Sequence, residues 1–424
     1  MSGTIRIRMY NVGFGDSFLL TLPDKKTILV DAGFHSQGKG KFGGNELVEQ
    51  VITDLKAISG RAHIDVVIAT HRHQDHVFCF NSTKWDEVSI GEVWLPWVED
   101  RGNTAATKLW KKKQQFAMQL FAALPSFALD PATNDAVQFM LWNAGVDVPG
   151  FAAAGDNWSN ENALDTLHEG FKQRDRPKPR FLPETQTFPE AFQSPALPGV
   201  SISVIGPSRD PDLIEELDPT ADGESYKALA LRAANLPGAP QVRSIAAPFG
   251  PEWQVGDDEP GMCLDGLEVE RLNALAHSAD ALLAAQKLDD MINSTSLVLI
   301  LEIGSARLLL PGDAEWGTWK RILKNDDAKS LVKSATFFKV GHHGSHNATP
   351  KSLIEQVLKR KIPAMISTQQ GPGKYRNNIP LQEVLDAFTA HDYNVVRSDR
   401  TDGALPAGFT KGTDASWVDL ELPC

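Results

Sequence analysis

The chain opens on an alternation of apolar and polar residues. In Thr4-Ile-Arg-Ile-Arg-Met-Tyr10 every second side chain is apolar, the period of a strand with one buried face. Phe18–Leu22 and Thr27–Gly33 continue as two more strands, and Val12-Gly-Phe-Gly-Asp-Ser17 supplies the glycines of a turn. From Asn45 to Ile58 the period becomes helical, with Leu47, Val48, Val51, Ile52, Leu55 and Ile58 on one stripe. Ile64–Ala69 then reads as a buried strand and Ile90–Leu95 as another. A helix between strands predicts a layered α/β arrangement.

From about Pro96 to Pro198 the pattern turns helical, with candidates at Thr104–Leu124, Asn134–Trp142 and Asn160–Phe171. Lys108 and Lys111–Lys113 lie on the first, and a basic, proline-broken stretch follows at Lys172–Arg180. Val200–Pro207 returns to strand. Ser208 to about Gly266 is acidic and irregular, and Leu267–Met291 regains helical spacing. Ser296–Ile303 and Arg307–Leu310 then form a hairpin about Gly304, followed by strands at Phe337–Val340 and Ala364–Ser367 and a helix at Leu381–Ala390. The domain reading is one domain over 1–424, carrying a helical insertion at 97–198 and a second insertion at 208–292.

With 42 Lys and Arg against 54 Asp and Glu, the net charge of −12 argues against a general nucleic-acid coat protein. Cys79, Cys263 and Cys424 are few and far apart, which points away from a disulfide framework or a thiolate metal site and suits a reducing cytoplasm. Neither an export signal nor a membrane span is read, so the expected location is cytoplasmic.

The chemistry is concentrated after the Ile64–Ala69 strand. His71-Arg-His-Gln-Asp-His76 places three imidazoles and a carboxylate in six residues at a strand end. His71 and His73 project to one side and can share an ion, and Asp75 and His76 can face a second. Such donors suit zinc first, and also manganese or iron. A second cluster, Gly341-His-His-Gly-Ser-His346, follows another predicted strand.

His-x-His-x-Asp-His at a strand end is the signature of the metallo-β-lactamase superfamily, which the chain resembles. Asn11–Ser17, Asn293–Leu299, Leu310-Pro-Gly-Asp313 and Lys339–Ser345, in that order, resemble the metallo-β-lactamase domain of ComEC-like proteins and their free-standing relatives. The resemblance implies an αββα sandwich holding two divalent ions. It makes His71, His73, Asp75, His76, Asp313 and His342 the metal ligands, with Asp313 bridging and His343 the alternative for the last place. Asp31 and Asp16 would support the ligands from behind, and Asp75 and His343 would serve catalysis. Lys374, Tyr375 and Arg376, in the loop after the last core strand, could contact a phosphate or carboxylate.

Three departures stand out. Asn11 replaces the family's usual Asp, Asn378-Ile-Pro380 replaces a His-Pro pair, and the third histidine for the first ion has no counterpart. Gly206 and Asn293 occupy its neighbourhoods, with His168 and His277 as distant substitutes. The function implied is metal-dependent hydrolysis through hydroxide activated by two cations that share a carboxylate. A phosphodiesterase or nuclease-like activity leads, on a small phosphodiester, a nucleotide or single-stranded nucleic acid. The alternatives are a hydrolase of lactones, thioesters or β-lactams, and a non-catalytic module whose insertions bind a protein partner.

Overall fold

The computed structural model describes residues 3–35, 38, 40–124, 129, 131–146, 158–171, 178–214, 223–224, 281, 284–370, 379–401 and 403–424. The predicted N-terminal strands form as β1 (Thr4–Tyr10), β2 (Ser17–Thr21), β3 (Thr27–Ala32), β4 (His63–Ile68) and β5 (Ser89–Pro96), with α1 (Gly44–Ser59) between the third and fourth and the short α2 (Gln74–Val77) between the fourth and fifth. They lie side by side in the order β1-β2-β3-β4-β5. The alternation in β1 has the predicted effect. Ile5, Ile7 and Met9 enter the core between two sheets, and Tyr10 joins the cluster beneath α1.

The second sheet is built on β8 (Val200–Gly206), β9 (Val298–Ile303), β10 (Ala306–Leu310), β11 (Phe337–Lys339) and β12 (Pro363–Ile366). Strands β8, β9 and β10 pair antiparallel, whereas β10, β11 and β12 run parallel. Leu299, Leu301, Leu308 and Leu310 face the first sheet. Their neighbours Ile300 and Leu309 face outward, onto Trp316, Trp319 and Ile322 of α6 (Trp316–Lys324) and Val384 and Phe388 of α8 (Gln382–Ala390). On the other side, Leu47, Val48, Val51 and Leu55 of α1 cover Leu29 and Val67. The result is an αββα sandwich, with strands apolar on both faces because both are covered. A further helix, α7 (Asp326–Lys333), follows α6 directly.

Some elements went unread in the sequence. Arg180–Leu182 (β6) and Glu190–Gln193 (β7) lie within the 97–198 span expected to be helical, and they extend the two sheets beside β5 and β8. Asn394–Arg397 (β13) pairs with β12, and Phe409–Lys411 (β14) with Trp417–Pro423 (β15). Strand β15 also pairs with β1 along its whole length, from Thr4–Pro423 to Tyr10–Trp417.

Inside the insertions, α3 (Thr104–Ala123), α4 (Pro131–Asn143) and the helical residues 284–293 share one apolar cluster through Leu109, Trp110, Val137, Met140, Leu288 and Ile292. The two insertions therefore meet in one core. Lys113 of α3 is buried with them and donates to the Met291 carbonyl at 2.7 Å. His168 lies on the turn after α5 (Asn160–Asp165), against Phe181, and His277 falls outside the described residues. Among the described residues no helix is long and apolar enough to cross a membrane.

Arg8 of β1 is buried between two carboxylates, 2.8 Å from Asp54 of α1 and forked at 2.7 Å onto Asp419 of β15, while Tyr10 donates to Asp54 at 2.6 Å. Removing the cation strands two buried acids. Arg8→Ala is predicted to lower stability by about 3–5 kcal/mol, read as a fall in the urea midpoint. Arg8→Ala/Asp419→Ala together should cost less than the sum of the two single changes.

Candidate metal centre

Strands β3 and β4 end side by side, and the groups that leave them meet at once. Asp31 stands at φ 57, a backbone conformation uncommon outside glycine, so its carboxylate turns toward the loop after β4. There its Oδ1 accepts from the Thr70 amide at 2.7 Å, and its Oδ2 accepts from the Thr70 hydroxyl at 2.8 Å. Gly33 allows the loop to come close, since a Cβ there would fall 2.4 Å from the Asp75 and His76 backbone. From the facing sheet, β10 ends at Pro311-Gly-Asp313. Gly312 adopts φ 54 against Ser296 and Thr70, and the Asp313 amide donates to Ser296 Oγ at 3.0 Å.

The side chains converge with their acceptor atoms facing one another. His76 Nδ1 lies 2.9 Å from Asp31 Oδ2, the place for a donated N–H, which leaves Nε2 bare and 3.1 Å from Asp313 Oδ2. His343 repeats the device. Its Nδ1 donates to the Ser367 carbonyl at 2.8 Å, and its Nε2 faces Asp75 Oδ2 at 2.9 Å. His71 Nε2 and His73 Nδ1 face each other at 3.1 Å. Each of these contacts needs a shared proton or a metal cation between its two atoms. Donor atoms of His71, His76 and Asp313 all lie within 4.8 Å of one another, as do those of Asp75, His76 and His343 and those of Asp16, Asp31 and His76, so each set could hold a divalent cation, with His76 serving one of them at a time.

The electrostatics agree. Burial and the neighbouring His76 and His73 hold His71 well below the usual imidazole range, in the neutral form that ligates metals. For His76 burial works against the charged form, yet Asp313, Asp31 and Asp75 together raise it well above that range. Burial likewise opposes ionisation of Asp75 and Asp313, but the imidazoles around them keep both low. Without a cation a proton fills the gap. Behind the cluster, Asp16 lies 3.7 Å from His76 Nδ1 and forms a buried ion pair with Lys339 at the end of β11.

The structure thus brings together His71, His73, Asp75, His76 and Asp313, with Asp31 and Asp16 behind them. The adjacent histidines take different places in it. His342 and His343 both have positive φ, 45° and 51°, so the backbone turns sharply and their side chains diverge. His343 reaches Asp75, whereas His342 lies 3.5 Å from Glu315 and is outside both donor sets. Asn11 donates to the Ala415 carbonyl at 3.2 Å, a structural tie to the C-terminal segment. Lys374, Tyr375, Arg376 and Asn378 lie outside the described residues.

Several participants were missed in the sequence. Thr70, Ser296 and Lys339 carry no metal chemistry of their own, though Ser296 and Lys339 sit within the quoted motifs and Thr70 directly precedes one. Asp289, within the second insertion, reaches His73 Nε2 at 3.3 Å. The first insertion also touches the loop. Arg72, between the first two histidines, forks onto Glu99 at 3.0 and 2.6 Å and stacks 3.7 Å over Trp110 of α3.

The comparisons agree with this geometry. The sequence model of the metallo-beta-lactamase superfamily matches residues 10–82, the segment that contributes Asp16, Asp31 and the histidine loop. The chain carries the metallo-β-lactamase fold. It is also similar to ComE operon protein 3 of Bacillus subtilis (strain 168), 32% identical over 108 residues. That match takes in 26% of this metallo-β-lactamase-fold chain and 13% of the relative, so the relative's length lies mostly beyond it. Proteins of the fold typically bind divalent metals, and the clustered histidines and aspartates could hold such an ion.

Asp31 fixes which nitrogen of His76 is bare. In Asp31→Asn the amide retains the tolerance for positive φ but can present N–H to the ring, which turns His76 to the wrong tautomer. Affinity for zinc or manganese is predicted to fall about 10–100-fold, measured by titrating metal-free protein, with little change in its melting.

Proposed function

We propose that this chain is a metal-dependent hydrolase of phosphodiesters, acting on a small phosphodiester, a nucleotide or single-stranded nucleic acid. The observation that carries the reading is the pair of facing acceptors, His76 with Asp313 and His343 with Asp75, each ring turned by a bond to its other nitrogen. Divalent cations such as zinc or manganese, held by His71, His76 and Asp313 or by Asp75 and His343, would lower the pKa of water and supply positive charge for the phosphoryl oxygens.

The residues of the chain do the positioning. Asp313 lies between the histidine loop and the second sheet, and its Oδ1 accepts from the His342 amide at 3.0 Å, which leaves Oδ2 for the centre. Asp75 is held ionised against burial, so it can accept a proton or orient the attacking group. Phe14 packs on His343 with ring centroids 4.4 Å apart, and His35 joins Phe14 to Phe139 of the first insertion. This aromatic wall keeps bulk water from one side of the centre.

The resemblance to ComEC-like domains favours a phosphodiester over a lactone or β-lactam, and the 32% identity to ComE operon protein 3 over 108 residues supports that resemblance. A groove along the start of α3 is lined by Lys108 and Lys111 and by Arg101, which also pairs with Asp165, a basic strip beside Arg72 and Glu99 suited to an extended phosphate backbone. The net charge of −12 disfavours long duplex DNA.

The test is hydrolysis of bis(p-nitrophenyl) phosphate and of end-labelled single-stranded DNA, before and after chelation and re-addition of zinc or manganese. Turnover should vanish with chelator and return with metal, and His73→Ala should reduce it by roughly 100-fold or more, the order contributed by one preorganised electrostatic group. Rapid hydrolysis of a lactone or β-lactam with inert phosphodiesters would replace the substrate class. Bound ions without turnover on any of these would favour a binding module.

A further inference from the structure

One face of α3 carries side chains that neither the sandwich core nor the metal centre uses. Among the described residues the large apolar side chains that stand exposed are Phe116 and Met118, at 43% and 61%, and both belong to this helix. They are not an unfilled part of the insertion core. Leu109, Trp110, Ala117 and Leu120 on the opposite face already pack into the cluster that joins the two insertions, with Lys113 buried among them. Phe116 and Met118 lie on the other side, among lysines. Lys108, Lys112 and Phe116 follow one another at four-residue spacing and form one row, and Lys111, Gln115 and Met118 form the next.

This face is also unusual in its charge. The chain has a net charge of −12, yet α3 bears four lysines and no acid. A groove of about 720 Å³ runs beside it, lined by Arg101, Lys108, Lys111 and Lys112, with no acid among its described lining residues. Arg101 is engaged by Asp165 at 2.6 Å, whereas Lys108 and Lys111 form no ion pair with any described residue. Arg101, Thr107 and Lys111 are shared with an adjoining cavity of about 240 Å³ that reaches Arg72 and Trp110. Arg72 stands between His71 and His73, so the basic face borders the element that anchors the histidine loop.

Neighbouring lysines without acids favour an anion, and an exposed ring and thioether favour apolar surface. A ligand that meets both needs carries phosphates at short intervals with flat apolar groups beside them. Bare polyphosphate lacks the second, and a duplex keeps its bases stacked inside. A single strand offers both, and stacking of its bases on an aromatic ring is tolerant of sequence.

We propose that the exposed face of α3 is a binding surface for single-stranded nucleic acid. Lys108 and Lys111 take backbone phosphates, Phe116 stacks a base, and Met118 packs against a neighbouring one. The surface belongs to the first insertion and not to the sandwich. As a guide of substrate to the centre it rests on the hydrolase reading, but the binding itself does not.

The test is binding without chemistry. Full-length metal-free protein is titrated into a fluorescein-labelled oligothymidylate and followed by anisotropy over a range of salt concentrations. Lys108→Ala/Lys111→Ala should weaken binding and make the fall of log K with log salt shallower by about 1.4, since each phosphate contact on a single strand contributes about 0.7. Phe116→Ala should weaken binding at least about fivefold, the effect of one lost base–aromatic stack, with little change in the salt slope. All three side chains are exposed, so the variants should melt with the unmodified chain. No binding of the oligothymidylate, or binding that both variants leave unchanged, would overturn the surface. Hydrolysis of bis(p-nitrophenyl) phosphate by the same preparation with metal restored would then leave the hydrolase reading standing. Binding that the lysine pair controls and Phe116→Ala leaves unchanged would overturn the single strand in favour of a bare polyanion. Strand binding with the expected losses, but no turnover with metal, would keep the surface and sink the hydrolase reading.

Discussion

His76 stands between two carboxylates, one from each sheet, and the rest of the site depends on that bridge. Asp31 belongs to the end of β3 and Asp313 to the end of β10, and a single imidazole reaches both at 2.9 and 3.1 Å. The bond to Asp31 decides the tautomer, and the tautomer decides that a bare nitrogen faces Asp313. Everything around the bridge serves to hold those three groups in place. Thr70 gives Asp31 two hydrogen bonds, Ser296 holds the Asp313 amide, and the Thr70 carbonyl accepts from the Leu297 amide at 2.9 Å, which ties one sheet to the other at this point. The sandwich core fixes the separation of the sheets, and hence the width of the gap a cation would fill.

The insertions are joined to this centre as well as to each other. Arg72 has Glu99 and Trp110 as its partners, and the Gln74 amide donates to Asn143 of α4 at 3.4 Å. From the other insertion Asp289 faces His73. Three successive positions of the histidine loop are thus held by chain that lies outside the sandwich. Because α3, α4 and residues 284–293 share one apolar cluster, a change in that cluster will be felt at His73 without touching any ligand.

What could be read from the sequence follows from where the information lies. β1, β3, β4, β9 and β10 are long or wholly apolar, and their periods alone identify them. β6 and β7 are short edge strands in a Pro-rich stretch, and their pairing is decided by neighbours far along the chain. β15 does alternate, as Trp417-Val-Asp-Leu-Glu-Leu422, but its significance depends on β1, some four hundred residues earlier in the chain. At the site, the clustered histidines and the Gly-Asp turn could be seen directly. The choice between His342 and His343 could not, because it depends on two successive residues in left-handed conformation that the sequence does not mark.

The placement of Lys339 shows how such a site can exist before metal arrives. Asp16, Asp31, Asp75 and Asp313 are all buried close together, and in a medium of low polarizability their mutual repulsion would be severe. The fold aims a permanent cation, Lys339, at Asp16, which is behind His76. The remaining acids are left to His76 and His343 and to whatever positive charge enters between the rings and the carboxylates. A second lysine at the front would relieve the repulsion but would also occupy the position of an ion. The arrangement therefore neutralises the charge that only supports the ligands and leaves unneutralised the charge that must bind. That division between Asp16 on one side and Asp75 and Asp313 on the other leaves a buried acid cluster that could hold a divalent cation where a proton otherwise sits.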